Sequence, residues 1–139
     1  MRFWDSSAVT PLLVDESDSD RREASLREDA DMLIWYGTPA ELESALNRRK
    51  RDGSLAAADE ASARQRLERL DASWLEVQPT VNVRDRAVRL LRVHTLRAAD
   101  AFQLAAALIA CAEQTRGFAF HTNDARLREA AAAEGFRVE

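Results

Sequence analysis

Short apolar runs alternate along this chain with longer segments in which apolar residues recur every three to four positions, the spacing of helices buried on one side. Residues 2–5 (RFWD) form a short apolar strand, and Ser6 and Ser7 are cap candidates for a helix reaching about residue 14. Residues 17–29 read as a polar helix and residues 31–37 (DMLIWYG) as a buried strand. Thr38 caps and Pro39 opens the next helix, which runs to about Asp52 and stops at Gly53. An amphipathic helix over 54–73, a strand over 74–77 and a helix from 81 to about 94 follow. Residues 98–114 form a helix with an almost wholly apolar body, which requires burial. A strand over 117–121, a helix over 124–134 and a strand over 136–138 complete the series. Such alternation predicts an α/β fold, a mainly parallel sheet covered by helices on both faces, with sites opening beyond the carboxyl ends of the strands.

Composition narrows the class. The 139 residues suit one domain, and 46% hydrophobic content with only 4 Gly and 3 Pro argues for a packed core rather than low-complexity disorder. Charged residues, 32% of the chain, break each apolar run before the roughly 18 residues that a membrane span needs. Asp5 interrupts the opening where a signal peptide would be apolar, so the expected location is cytoplasmic. Cys111 is alone and cannot form an internal disulfide, and no Cys/His cluster has zinc spacing. The net charge of −4 sets 24 acidic against 20 basic residues, and 19 of the basic ones are Arg, with Lys50 the exception. Arg suits bidentate recognition of phosphate or carboxylate, although a coding bias toward Arg accounts for the same count.

The strand-end rule directs attention to four acids. Asp5 closes the first strand and Asp124 follows the strand ending in FHT; each is equally suited to capping the next helix. Asp100 stands in the first turn of the most apolar helix, on a face continued by Leu104, Ala107 and Cys111, where an unpaired carboxylate is costly to bury. Glu41 flanks the Leu42, Ala45 and Leu46 stripe of its helix, whereas Glu43 shares a solvated line with Asn47 and Lys50. Four carboxylates meeting at one end of a parallel sheet would repel unless a cation lay between them, and a hard dication such as magnesium or manganese fits oxygen donors. The chain has no phosphate loop, GxSxG elbow, HExxH pair or dinucleotide fingerprint, which leaves metal-dependent phosphodiester cleavage as the chemistry to consider.

The segments FWDSSAVTPLLVDE, TPAELESALNRR, LRAADAFQLAAAL and FHTNDARLREAAAAEGFRV, in this order, resemble the PIN domain, and specifically the VapC-type toxin ribonucleases of toxin–antitoxin pairs. The resemblance spans nearly the whole chain and implies a three-layer α/β/α sandwich around a parallel sheet. It also implies a magnesium- or manganese-dependent endoribonuclease acting on RNA such as transfer or ribosomal RNA, a VapB-type antitoxin that blocks the acidic groove, and a homodimer. Carried over by motif, Asp5, Glu41, Asp100 and Asp124 are the metal-binding catalytic acids, and Ser6, Thr122 and Asn123 orient them by hydrogen bonds. Gln103 departs from the pattern, since many relatives carry His after the third acid.

Other features have plainer readings. The acidic run over 15–31 reads as a solvated helix face, or, by the resemblance, part of an antitoxin clip. His94 and His121 lack partners at metal spacing and read as structural or surface residues; Trp4, Trp35 and Trp74 read as core, and Cys111 as an inert buried thiol. The cluster Arg48, Arg49, Lys50 and Arg51 suits a solvated helix end or contact with RNA phosphates beside Glu41. Two other classes stand beside the nuclease. A receiver-like domain lacks its lysine at a late strand end, and a catalytically silent PIN-like module would use the same groove to hold RNA or a peptide.

Overall fold

A computed structural model describes residues 1–139. Five parallel strands, β1 (Arg2–Trp4), β2 (Met32–Trp35), β3 (Leu75–Val77), β4 (Ala119–His121) and β5 (Arg137–Val138), lie in the order β3-β2-β1-β4-β5. The chain builds outward from β1 in one direction, then returns to build outward from its other side. The order therefore reverses between β1 and β4, and loops leaving those two strands diverge to open a crevice at their carboxyl ends.

Alternate strand residues feed two cores, giving the three-layer α/β/α sandwich that the sequence predicts. Trp4, Met32 and Ile34 face α1 (Ser6–Leu13), α3 (Thr38–Asp52) and α4 (Ala57–Asp71), with α2 (Ser19–Glu28) packed beside α1. Phe3, Leu33, Trp35 and Phe120 face α5 (Val81–Val93), α6 (Ala98–Ala110) and α7 (Ala125–Ala133). Helix α6 is the central one of the second layer: Ala101 and residues 104–107 are fully buried, and their small side chains let the backbone lie close on the sheet. Trp4, Trp35 and Trp74 are all core, as expected.

The differences from expectation have local causes. Asp5, not Ser6 or Ser7, caps α1, accepting from the Ala8 N–H. At α3 the cap position is Gly37; Thr38 is already helical and fully buried. Gly37 is held small by Trp35, since a Cβ there would meet the indole Nε1 at 2.6 Å. Gly53 ends α3 as expected, at φ 79° in the left-handed region. Helix α4 starts at Ala57, after a linker in which the Ser54 and Leu55 N–H groups donate back to the Arg49 carbonyl and Leu55 is buried. Helix α6 stops at Ala110 rather than 114, since Ala112 and Glu113 take φ values of 51° and 62°. That costs roughly 1–2 kcal/mol per residue; the turn is closed by the Glu113 N–H donating to the Leu108 carbonyl at 2.8 Å, and the Glu113 carboxylate accepts from Arg86 Nε at 2.9 Å and Nη2 at 3.2 Å. The 15–31 segment is not simply a solvated face, because Arg22 of α2 is completely buried. His121 is likewise buried, stacked on Trp4 with centroids 4.1 Å apart, and burial holds its imidazole neutral with a pKa near 3. His94 pairs with Glu134 at 2.8 Å. Cys111 is half-buried and its thiol pKa is pushed up by burial.

Candidate active site

Helix starts deliver the four acids to the β1/β4 crevice. Asp5 follows β1 and is only 3% exposed; Oδ1 accepts from the Ala8 N–H at 3.1 Å and Ser7 Oγ at 2.8 Å, and Oδ2 from Thr122 Oγ1 at 3.2 Å. Burial pushes its pKa up to about 7, against three hydrogen bonds that favour the charge. Glu41, in the first turn of α3, accepts at Oε2 from Ser6 Oγ at 2.6 Å and from Gln103 Nε2 at 3.2 Å. Burial raises its pKa as well. Asp100, in the first turn of α6, is raised by burial and then by the negative charge of Asp124. Asp124 caps α7 through Oδ1, which accepts from the Leu127 N–H at 2.8 Å. One oxygen of each of Asp5 and Asp124 caps a helix and the other does not, so capping leaves an oxygen of each for another partner.

Glu41, Asp100 and Asp124 line one cavity of about 940 Å³ together with Ser6 and Ser7, while buried Asp5 does not reach its wall. None of the four carboxylates has a Lys, Arg or His nitrogen within 4.0 Å, although such pairs are common elsewhere in the chain. Three of them are pushed toward protonation by burial and by one another, so an added cation would relieve the site. The donor set is all oxygen, which fits a hard dication. In this arrangement no three Asp, Glu, His or Cys groups close on a single metal position, and Asp5 and Glu41 are held by separate hydrogen bonds, from Thr122 and from Ser6.

Among the supporting residues, Ser6 holds Glu41 and Thr122 holds Asp5, as expected. Asn123 does not touch any of the four acids: its N–H donates to Ser7 Oγ at 2.8 Å, and its side-chain oxygen accepts from Arg22. Ser7 is the orienting group that sequence reasoning assigned only to a cap, and Gln103 is a second. Buried Gln103 donates to both Thr38 Oγ1 at 3.0 Å and Glu41, so the departure at this position still serves the site. Of the basic cluster, Arg48 and Arg49 line the cavity, Arg49 paired with Glu16. Lys50 pairs instead with Glu60 at 3.2 Å, and Arg51 is exposed. Arg97 and Arg126 also line the cavity and were not singled out by sequence, although each sits within three residues of a site acid. Glu43 lies outside it, accepting from Asn47 at 2.7 Å and bidentately from Arg64 at 2.7 and 3.0 Å.

Comparison with known proteins agrees with this fold. Ribonuclease VapC45 and Ribonuclease VapC49, from two strains of Mycobacterium tuberculosis, are each 32% identical to this chain, covering 98% of it and 92% of their own length. The crystal structure of PAE2754 from Pyrobaculum aerophilum superposes with a TM-score of 0.69 at 19% identity, covering 99% of this chain and 87% of that one. FitAcB from Neisseria gonorrhoeae superposes at 0.66, also at 19% identity, covering 99% and 96%. Residues 2–133 match the PIN domain as a family. With that match over nearly the whole chain and a parallel sheet whose strand order reverses between β1 and β4, the chain belongs to the PIN domain family.

Proposed function

We propose that this chain is a metal-dependent endoribonuclease of the VapC type, the toxin of a toxin–antitoxin pair. One observation carries the reading: four carboxylates without a cationic partner gather at the β1/β4 crevice, while Arg48, Arg97 and Arg126, none of them paired to a carboxylate, line the same cavity. Acids of that kind hold a dication and arginines of that kind hold phosphates, so a polyanion bound with its scissile bond over the acids meets both needs. The ribonuclease names of the 32%-identical relatives favour RNA as that polyanion.

Asp5, Glu41, Asp100 and Asp124 would hold magnesium or manganese. Such an ion supplies charge stabilisation at the phosphate and lowers the pKa of bound water. The chain's own work is orientation. Ser7, Thr122 and the Ala8 N–H fix both oxygens of Asp5, while Ser6 and Gln103 engage only Oε2 of Glu41. Oε1 remains without a hydrogen bond inside the chain, available to a ligand. An antitoxin in the cytoplasm would oppose this site by presenting basic side chains to the same carboxylates. The implied homodimer has an apolar surface to cover in the exposed Val81, Val88 and Leu91 of α5.

RNA incubated with the purified chain should be cut endonucleolytically in magnesium or manganese and left intact in excess chelator, with activity restored on adding metal back. Full activity in excess chelator overturns the metal reading. RNA bound but never cut, with either ion, would make the chain a silent binding module.

A further inference from the structure

Arg22 is the one basic side chain buried completely, and it is satisfied completely. A guanidinium carries five N–H donors in a rigid fork. Here Nε donates to Asp18 Oδ2 at 2.8 Å, Nη1 to His121 Nδ1 at 3.0 Å and the Glu139 carbonyl at 3.2 Å, and Nη2 to the Thr122 carbonyl at 3.1 Å and to Asn123 Oδ1. Its acceptors beyond Asp18 all lie at the carboxyl ends of β4 and β5, about a hundred residues away in sequence. For Nδ1 of His121 to accept, the ring proton must sit on Nε2, and the buried, neutral imidazole provides that form.

The turn that Arg22 grips carries the site. Thr122 Oγ1 donates to Asp5 Oδ2 and accepts from the Asp124 N–H at 3.0 Å, and the Asn123 N–H holds Ser7, which in turn holds Asp5. We propose that Arg22 is a positioning residue of the ribonuclease site: its five-donor fork holds residues 122–124 in the one place from which Thr122 and Ser7 aim Asp5 while Asp124 stands beside Asp100. The inference rests on the nuclease reading above, but the anchoring itself is a property of the metal-free chain. A lysine keeps the charge and cannot reproduce the fork, since a single ammonium reaches only some of acceptors spread over three elements.

The test compares wild type with Arg22→Lys and Arg22→Ala, the latter with and without millimolar guanidinium, far below denaturing levels. On a mixed-sequence RNA oligonucleotide, kcat is expected to fall about 10- to 100-fold in both variants, as for other groups that orient metal ligands, with KM held within about twofold. Guanidinium should recover activity in Arg22→Ala alone. Without metal, amide exchange should quicken at Asn123 and Asp124 while β1 and β2 stay protected, and manganese binding measured by calorimetry should weaken in step. Unchanged kcat in Arg22→Lys, or uniform loss of protection across the sheet with no guanidinium rescue, overturns the positioning role. If wild type cuts no RNA yet exchange quickens only at 123–124, the nuclease reading fails and the anchoring stands.

Discussion

Ser6 Oγ donates to Glu41 Oε2 at 2.6 Å, tying the start of the helix after β1 to the start of the helix after β2. Through that contact two elements 35 residues apart share the crevice. The neighbouring Glu43 points the other way, into the Arg64 fork. Within one helical turn, one glutamate is thus turned to the crevice and the other to the surface.

Glu41→Gln removes one charge facing the cavity and keeps the shape. Cleavage is expected to fall at least about a hundredfold, the effect of a lost metal ligand of a few kcal/mol. Metal-free melting should hold or rise, because burial disfavours that carboxylate's charge. Glu43→Gln breaks a partly exposed pair, at a cost of about 1 kcal/mol or less, and leaves activity nearly intact. Cleavage rates and melting curves for both variants check the assignment, which fails if Glu43→Gln is the inactive one.

Asp5 sets a pH dependence for the metal-free chain. Its folded pKa of about 7 lies above the ordinary 3.8, so folding favours the protonated acid. Stability from this group is full below about pH 4 and is lost as pH rises through 7. Asp5→Asn should melt like wild type at pH 4 and above it at pH 8, with a ceiling of about 4 kcal/mol. Saturating magnesium should reverse the order at pH 8, raising wild type alone. Thermal melts across pH 4–8, with and without magnesium, measure both; equal melting of the two proteins at pH 8 without metal contradicts the effect.

The phosphate-holding role proposed for the cavity arginines has a salt-dependence signature. Arg48→Gln, Arg97→Gln and Arg126→Gln should each weaken RNA binding and shrink the slope of log K against log salt by about 0.7 for a single strand. Arg51→Gln, outside the cavity, should change neither. Fluorescence anisotropy with an RNA oligonucleotide in the Glu41→Gln background reads binding without cleavage. A slope unchanged in all three cavity variants removes the phosphate role.

Expression of the chain alone should arrest bacterial growth, and co-expression of a cognate antitoxin should relieve the arrest. Asp5→Asn, at equal protein level, should grow normally. Equal slowing by both forms would trace toxicity to something other than the carboxylate site.

Much of this was legible in one dimension. Strand and helix order followed from apolar spacing, because a sheet covered on both faces demands continuous apolar strands and one-sided helices. Glu41 could be told from Glu43 because helical rotation places them on different faces whatever they pack against. Asp5 and Asp124 stood out because strand ends are where a parallel sheet opens. Local rules failed where the chain breaks away from its own helix: Ala112 and Glu113 leave it at left-handed φ, and Thr38 turns inward to distant Gln103 instead of capping.

Sequence by itself therefore determined the periodic elements and their order, since each depends on neighbours a few residues away. The resemblance already named Ser6 and Thr122 beside the acids, and only the tertiary structure decided the rest. Gln103 reaches Glu41 across 62 residues, Ser7 is met by the Asn123 N–H across 116, and Arg22 emerges from a polar helix to be buried at the far end of β4. A buried hydrogen bond or guanidinium takes its partner from whatever the fold brings within about 3 Å, and no spacing along the chain encodes that proximity.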